Sequence, residues 1–560
     1  MPLRFFNHFS RKNQGEIAPE DIFIDSSNLP QFNKHQFEGR LEKPIAMRSA
    51  FMVGLFFCLV VLIFTGRLFF LQVERGEAYA IRSENNRLRY SLVFSERGVV
   101  YDRNGVELVW NEPNPKQENF ASRRYVSLPG FSHILGYLKY PLKDTDGFYY
   151  RETFQGKDGI ENFYDSLLAG SNGIKIIEIN ALGDITSEGA IEPSVAGKSL
   201  TLSIDSRVQE GFYNMLEKLI NNASFNGGGG VIMDVSNGEI LSLVSVPEYD
   251  SQAITDGQST QVNKYVENPQ KPFLNRVTAG LYTPGSIIKP FLALGALMED
   301  IISPDTKILS TGSISIENPY SPGEFSVFRD WKAHGFVDMR EAIAVSSDVY
   351  FYEIGGGYED QKGLGIENID KYLQMFGFSE PVGIDLPHEE IGIIPTPEWK
   401  EKVFDGEDWR IGDTYNTAIG QYGMQVTPLQ VVRAVAAVAN GGKLLRPHVV
   451  KSSQIDFKKI NIEERYFDIV REGMRQVVTQ GTAVGLWVPY VSIAAKTGTA
   501  EVGAKKQFVN AWIVGFFPYE NPKFAFAIVL EQGPTGSSVG GVSAARQLFD
   551  WMSVNTPEYF

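Results

Sequence analysis

Cysteine occurs once in this 560-residue chain, at Cys58 inside an apolar run, so no disulfide can form within it. Histidine is scarce as well. His8, His35, His133, His334, His388 and His448 are scattered, with no H-x-x-x-H pair and no Cys/His cluster, so no metal site is expected. Positive charge is in deficit: 52 Lys and Arg against 67 Asp and Glu give a formal net charge of -15, with no basic stripe. Nucleic-acid binding needs such a stripe to neutralise phosphates, so nucleic acid is excluded as the main partner. No internal repeat is present. What remains is ordinary: 43% hydrophobic and 21% charged residues, enough for a large core and incompatible with global disorder. The length suggests roughly three or four domains.

Charge is missing altogether from Ser49 to Gly66 (SAFMVGLFFCLVVLIFTG), and after Arg67 the apolar run resumes to Val73. Together these approach the ~20 residues that cross a bilayer. Arg67 can snorkel to the headgroups. Arg40, Lys43 and Arg48 precede the run, diluted by Glu38 and Glu42. The positive-inside rule then places the N-terminus in the cytoplasm and the bulk of the chain outside. A cleaved signal peptide is the alternative, but a long polar tail precedes the run and no A-x-A site follows. A buried core helix fits less well, because the run is apolar on every face.

Residues 1–48 are polar and rich in Asn, Gln and Pro, the texture of a flexible cytoplasmic tail. A transmembrane helix is expected over 49–73 and a polar, strand-rich stalk over 74–197. Within the stalk, ERGVVYDRNGVEL (96–108) reads as strand, Asn104-Gly105 turn, strand. QGKDGIENFYDSLLAG (155–170) is a second signal. From 198 to 555 the texture changes. LTLSIDSRVQEGFYNMLEKLI predicts a strand and an amphipathic helix; GGVIMDVSNGEILSLVSVP predicts a hairpin around Ser236-Asn237-Gly238. AAKTGTAEV, NAWIVGFFP and FAFAIVLEQG predict three more strands, and VSAARQLFDWM a closing helix. Strands at both ends with helices between suggest an α/β (α+β) domain around one mixed sheet whose halves are far apart in sequence. Glycines 227–230 open no helix and read as a loop.

LYTPGSIIKPF holds Ser286 and Lys289; no other serine has lysine three residues later. On a helix, i and i+3 share a face, so the amine can reach the hydroxyl and act as its base if neighbours depress its pKa. Thr283 is placed to cap that helix, with Pro284 in its first turn, and Pro290 should kink it after Lys289. Alone, S-x-x-K equally describes a surface helix. In AIAVSSDVYFYEIG an apolar helix breaks at Ser346-Ser347-Asp348. Either Ser346 and Asp348 turn into a cleft, or the triplet is a helix N-cap. In AAKTGTAEV, Lys496 follows an apolar strand, Thr497 and Thr499 share one face, and Gly498 marks close approach by another backbone. Such an edge strand can take an extended peptide by strand addition; it can also be an ordinary strand with a bulge. Gly536-Ser537-Ser538-Val539-Gly540 fits G-x-S-x-G, but an α/β-hydrolase needs its histidine after the serine, and the last one is His448.

S-x-x-K, S-x-D and K-T-G-T, in that order and widely separated, form a specific pattern. It resembles the penicillin-binding protein and serine β-lactamase superfamily. RGVVYDRNG, GKDGIE, IDSRVQ, TPGSIIKP, IGQYGMQVTPLQ and KTGTAE look like the class B penicillin-binding proteins, the monofunctional cell-wall transpeptidases. VSSDVYFYEIG, GIDLPHEEIGIIP and GDTYNTAIGQ look most like the elongation-specific type, penicillin-binding protein 2, and the likeness runs from about residue 67 to 550. The resemblance implies a D,D-transpeptidase that cross-links peptidoglycan stem peptides. Ser286 would attack the D-Ala-D-Ala carbonyl and Lys289 act as base. Ser346 with Lys496 would relay a proton to the leaving amine, and Thr497 and Thr499, flanking Gly498, would hold the terminal carboxylate. Backbone N–H groups of Ser286 and Thr499 would form the oxyanion hole. β-Lactams would trap Ser286. No metal or organic cofactor is implied. The implied partners are a polytopic lipid II glycosyltransferase and other elongation-complex proteins. Three departures stand out. Ser346-Ser347-Asp348 replaces S-x-N, leaving the role of Asp348 open. The stretch between Asn104-Gly105 and Gly156 is short for the family, and IGQYGMQ replaces I-G-Q-G. Rival readings are a β-lactam sensor or β-lactamase-like hydrolase, a D,D-carboxypeptidase, and a non-enzymatic scaffold; the intact Ser286, Lys289, Ser346 and Lys496 speak against the last.

Overall fold

The computed structural model describes residues 47–74, 88–114, 119–145, 149–179, 185–318, 321–503 and 505–560. The expected cytoplasmic tail lies outside them, save its last two residues. The chain divides into two units, 1–80 and 81–560. In the first, helix α1 (Met47–Phe69) runs on into a π-helical turn, Phe70–Glu74. Leu, Val, Ile and Phe cover it on all sides and none of its span Phe51–Glu74 is buried. Thr65 returns its hydroxyl to the Val61 carbonyl at 2.7 Å, so its polar group is satisfied within the helix. Among the described residues this is the one helix long and apolar enough to cross a membrane.

The second unit begins with a strand-rich part containing β1 (Leu88–Val93), β2 (Val100–Tyr101), β3 (Glu107–Glu112), β4 (Ser122–Tyr125), helix α2 (Gly159–Phe163), β5 (Gly173–Ile179), β6 (Ile185–Glu192) and β7 (Leu200–Thr201). One sheet has the order β1-β5-β6, the other β7-β2-β3-β4. The expected hairpin forms: β2 and β3 pair antiparallel around a turn in which Gly105 has φ 87°. Asp102 makes that turn, its Oδ1 accepting the Asn104 and Val106 N–H groups at 2.7 and 2.8 Å. The two signals read in this region meet in the core. Glu161 lies between Arg97 (2.6 Å) and Arg123 (2.8 Å), and all three side chains are at most 1% exposed. Burial alone would raise the Glu161 pKa; the Arg123 and Arg97 guanidiniums outweigh it and hold the carboxyl below its usual range.

The remainder is built around one sheet. Helix α3 (Ser206–Ala223) is capped by Asp205, which accepts from Arg207 N, and buries Val208, Phe212, Leu216, Leu219 and Ile220 at helical spacing. Asp102 Oδ2 accepts from Ser206 N (3.1 Å) and Oγ (2.7 Å), tying the hairpin turn to the start of this helix. Strands β8 (Gly227–Asp234) and β9 (Ile240–Val246) follow as the expected hairpin. Then come α4 (Lys289–Met298), two small ribbons β10 (Ile308–Ser310) with β13 (Gly335–Val337) and β11 (Ser313–Glu317) with β12 (Phe325–Arg329), and helices α5 (Met339–Val345) and α6 (Asp348–Gly356). Helix α7 (Pro428–Ala439) starts with a Thr427/Gln430 capping box and is buried along its whole length. Helix α8 (Glu464–Thr479), strands β14 (Ala494–Val502), β15 (Phe508–Phe517), β16 (Phe524–Pro534) and helix α9 (Gly541–Asn555) complete it.

The five-stranded sheet has the order β9-β8-β16-β15-β14, joining the two ends of this part of the chain as expected. It is not mixed. Every pairing is antiparallel, because a hairpin and a three-strand meander are laid edge to edge with β8 against β16 in opposite sense. Helix α7 packs against β8, β15 and β16, whereas α3 contacts β8 and β9 and α9 contacts β15 and β16. Glycines 227–230 are not a loop: they are the first half of β8. A β-carbon at Gly230 would stand 2.1 Å from the Phe212 ring of α3, and one at Gly227 2.6 Å from Arg276 Nε. The strand needs bare backbone because α3 and Arg276 press on it.

Candidate active site

Ser286 lies in a 3-10 turn, Gly285–Ile288, and Lys289 is the first residue of α4. The expected single helix capped by Thr283 does not form. Pro290 explains this: in the first turn of α4 its missing N–H costs nothing, so a helix starts there instead of kinking there. In a 3-10 turn residues i and i+3 eclipse, so serine and lysine still share a side. Lys289 is fully buried, whereas Ser286 is half-buried and has no side-chain hydrogen bond among the described residues. Thr283 serves differently: its carbonyl accepts the Trp512 indole N–H at 3.1 Å. From behind, Gly285 N donates to Gly420 O at 2.9 Å and Tyr282 exchanges backbone bonds with Val426. The IGQYGMQ segment therefore backs the serine turn.

The break at Ser346-Ser347-Asp348 separates α5 from α6 as expected. Both readings of it hold, for different residues. Ser347 is the N-cap, accepting from Tyr350 N. Ser346 takes a left-handed conformation, φ 58°, and its hydroxyl enters the site. Ser346 Oγ accepts from Lys496 Nζ at 2.8 Å and from Lys289 Nζ at 3.4 Å. Asp348 Oδ1 accepts from Lys289 Nζ at 2.6 Å, and the Ser346 carbonyl accepts from the same amine at 2.9 Å. Burial, and after it the charge of Lys289, push the pKa of Lys496 well below that of a solvated lysine; Asp348 opposes this more weakly.

Strand β14 is the sheet edge, with Lys496, Gly498 and Ala500 buried, Thr497 half-buried and Thr499 exposed. Gly498 meets another backbone, as its type suggested: a β-carbon there would stand 2.7 Å from Pro284 O and 2.8 Å from Ile287 Cγ2. The residue before the serine abuts the same strand, a β-carbon on Gly285 lying 3.0 Å from Thr499 O. The structure thus gathers Ser286, Lys289, Ser346, Asp348, Lys496, Thr497, Gly498 and Thr499 around one junction of turn, helix start and strand edge. Chemically, it offers two amines that share the Ser346 hydroxyl, with the Ser286 turn packed against a strand edge able to take an extended peptide.

Two neighbours went unread in the sequence. Thr482 Oγ1 lies 2.6 Å from Thr497 Oγ1. Asp330 accepts from Ser347 Oγ at 2.9 Å and Val349 N at 3.0 Å. Neither sits in a motif. For Asp330 the one available signal is an acidic residue directly after the short strand FSVFR, which in isolation reads as a turn.

Residues 228–550 match the family of the penicillin binding protein transpeptidase domain, and residues 116–202 the penicillin-binding protein dimerisation domain. The peptidoglycan D,D-transpeptidase MrdA of Haemophilus influenzae is 32% identical over 478 residues, covering 78% of this chain and 70% of that protein. MrdA of Escherichia coli K12 is 28% identical, covering 91% and 94%. Among solved structures, the complex between penicillin-binding protein PBP2 and MreC from Helicobacter pylori is similar with a TM-score of 0.70 and 29% identity, over 83% of this chain and 99% of that one. Pseudomonas aeruginosa PBP2 in complex with WCK 5153 gives a TM-score of 0.67 and 31% identity, over 83% and 97%.

Proposed function

This chain belongs to the penicillin-binding protein transpeptidase family, and we propose that it is a peptidoglycan D,D-transpeptidase of the elongation type with Ser286 as its nucleophile. The observation that carries the residue assignment is Ser346 Oγ standing between Lys496 and Lys289, beside the Ser286 turn and the β14 edge. Two buried amines this close do not both hold a proton easily, and the hydroxyl between them lets one proton pass from one to the other.

In the proposed reaction a stem peptide lies along β14, its terminal carboxylate held by Thr497 and Thr499. Ser286 Oγ attacks the carbonyl of the penultimate D-Ala and gives its proton to Lys289, whose ammonium Asp348 stabilises. The Ser286 and Thr499 N–H groups receive the developing oxyanion. The C–N bond then breaks, Ser346 passes a proton to the departing D-Ala amine, and Lys496 replenishes Ser346. An amine of a second stem peptide attacks the Ser286 ester, and its proton returns by the same path. β-Lactams enter as mimics of D-Ala-D-Ala and stop at the ester.

The proposed division is a tail at 1–48, a membrane helix at 49–73, a stalk at 74–197 and the transpeptidase domain at 198–555. The two family matches and the apolar α1 support it. The same reading places the N-terminus in the cytoplasm and the catalytic part outside. Elongation-complex proteins are proposed as partners, because the similar H. pylori protein forms a complex with MreC. A polytopic lipid II glycosyltransferase is proposed with them.

The test is to incubate the detergent-solubilised full chain with a fluorescent penicillin and map the adduct by peptide mass. A long-lived adduct on Ser286 is expected. An adduct elsewhere overturns the nucleophile, and release within seconds favours a β-lactamase-like hydrolase.

A further inference from the structure

The Ser346 turn is held from outside by a residue that takes no part in the reaction as drawn. Asp330 follows β12 and is buried. Its backbone N–H donates to Gly312 O at 2.9 Å, fixing it to the start of β11. Its Oδ2 accepts three hydrogen bonds: from Ser347 Oγ at 2.9 Å, Val349 N at 3.0 Å and Ser310 Oγ at 3.3 Å. Its Oδ1 accepts from Trp331 N at 2.8 Å and lies 3.4 Å from His334 Nε2. The next residue grips the other side of the turn, Trp331 Nε1 donating to Val345 O at 3.3 Å. The β12–β13 connection therefore holds the residues immediately before and after Ser346.

Ser346 needs such a grip. A non-glycine residue at φ 58° is unfavourable by itself and persists only where its surroundings over-determine it. Its own turn supplies Ser346 N to Ile343 O at 3.3 Å and Ser347 N to Ala342 O at 3.0 Å, bonds that a helix end frays readily. A relaxed turn would swing Ser346 Oγ away from Lys496 and carry Asp348 away from Lys289. We propose that Asp330 is a positioning residue for acyl transfer: through Ser347 and Val349 it locks the left-handed Ser346 turn and so sets the Lys289–Ser346–Lys496 geometry.

This inference rests on the reading of Ser286 as an acylated nucleophile, and the test separates the two. Stopped-flow acylation of the solubilised full chain by a fluorescent penicillin gives a binding constant and a first-order acylation rate. If the wild-type chain forms no Ser286 adduct, the functional reading fails first. If it does, Asp330→Ala is expected to lower the acylation rate at least tenfold with the binding constant changed less than twofold. Asp330→Asn keeps an oxygen for Ser347 and Val349 and should restore most of the rate. A merely structural role would lower the amount of labelled protein and leave the rate per labelled molecule untouched. Where the alanine variant does not fold, Ser347→Ala removes one of the two links and should slow acylation in the same rate-not-affinity manner. Wild-type acylation rates in folded Asp330→Ala, or in Ser347→Ala if that is the variant measured, overturn the proposal.

Discussion

Lys289 and Lys496 donate to the same oxygen, Ser346 Oγ, at 3.4 and 2.8 Å, although they come from a helix start and a strand edge at opposite ends of the catalytic part of the chain. Lys289 also holds the Asp348 carboxylate, whereas Lys496 is pushed toward the neutral form. Two amines of one residue type thus differ in setting: Lys289 bonds the Asp348 carboxylate directly, whereas for Lys496 burial and the Lys289 charge outweigh it.

Ser286→Ala removes one oxygen from a half-buried turn that has no side-chain hydrogen bond to lose. Penicillin labelling should vanish while Tm shifts by no more than about 2 °C. Labelling that persists, measured by in-gel fluorescence, would point to a different nucleophile.

The depressed Lys496 pKa has a definite sign in stability. Between its folded value and the ordinary lysine value near 10.4, the unfolded chain holds the extra proton, so stability rises with pH. The rise from this group is at most ~1.4 kcal/mol per pH unit and ends near the ordinary value. Lys496→Met should therefore flatten the stability curve between pH 7 and 10 relative to wild type. Parallel denaturation curves for the two proteins would refute the neutral, buried amine.

Asp348→Ala leaves the fully buried Lys289 Nζ with only the Ser346 hydroxyl and carbonyl as partners. Asp348 is 19% exposed, so the cost falls below the full penalty for breaking a buried pair, to ~1–3 kcal/mol. Acylation should drop by about two orders of magnitude, since the ammonium formed when Lys289 takes the Ser286 proton loses its counter-charge. An unchanged rate would leave Asp348 a surface acceptor only.

Gly498→Ala places a methyl 2.7 Å from Pro284 O and 2.8 Å from Ile287 Cγ2. The strand and the serine turn must part, with an expected cost of ~1–3 kcal/mol. Acylation should slow more than stability alone explains. Melting curves and acylation rates on the same sample check both, and a fully active variant would show that the junction has slack.

Far from the site, Glu161→Ala leaves Arg97 and Arg123 buried without their shared carboxylate. Arg97 keeps Asp165 at 2.7 Å, so a loss at the low end for a broken buried pair, ~3 kcal/mol, is expected. Calorimetry and limited proteolysis should show the strand-rich part opening before the catalytic part. A single unshifted transition would contradict it.

How much of this was legible follows from where each constraint lives. The proposed site residues Ser286, Ser346 and Lys496 stand out in the sequence because the chemistry proposed for them needs particular residue types in short, local patterns. The hairpin at Asn104-Gly105 and the alternation of β14 are equally local. Gly227–Gly230 misled because four glycines carry no strand propensity; the reason for them is Phe212 on α3 and a distant Arg276. Pro290 reads as a kink inside a helix, yet it lies in the first turn of α4, where its missing N–H costs nothing. Asp330 was invisible because its partners, Ser347 and Val349, reach it only after β12 folds against the turn.

The union of β8 with β16 has a kinetic side. Gly227 faces Glu531 and Asp234 faces Phe524, so the sheet's middle pairing waits for nearly the last strand to be made. At ~5–20 residues per second of synthesis, β8 keeps an open hydrogen-bonding edge for on the order of tens of seconds. Closure over so long a loop is slow, and an unpaired apolar edge invites aggregation meanwhile. A chain broken off before Phe524 therefore loses the centre of its sheet rather than its rim, and no half-competent remnant should survive.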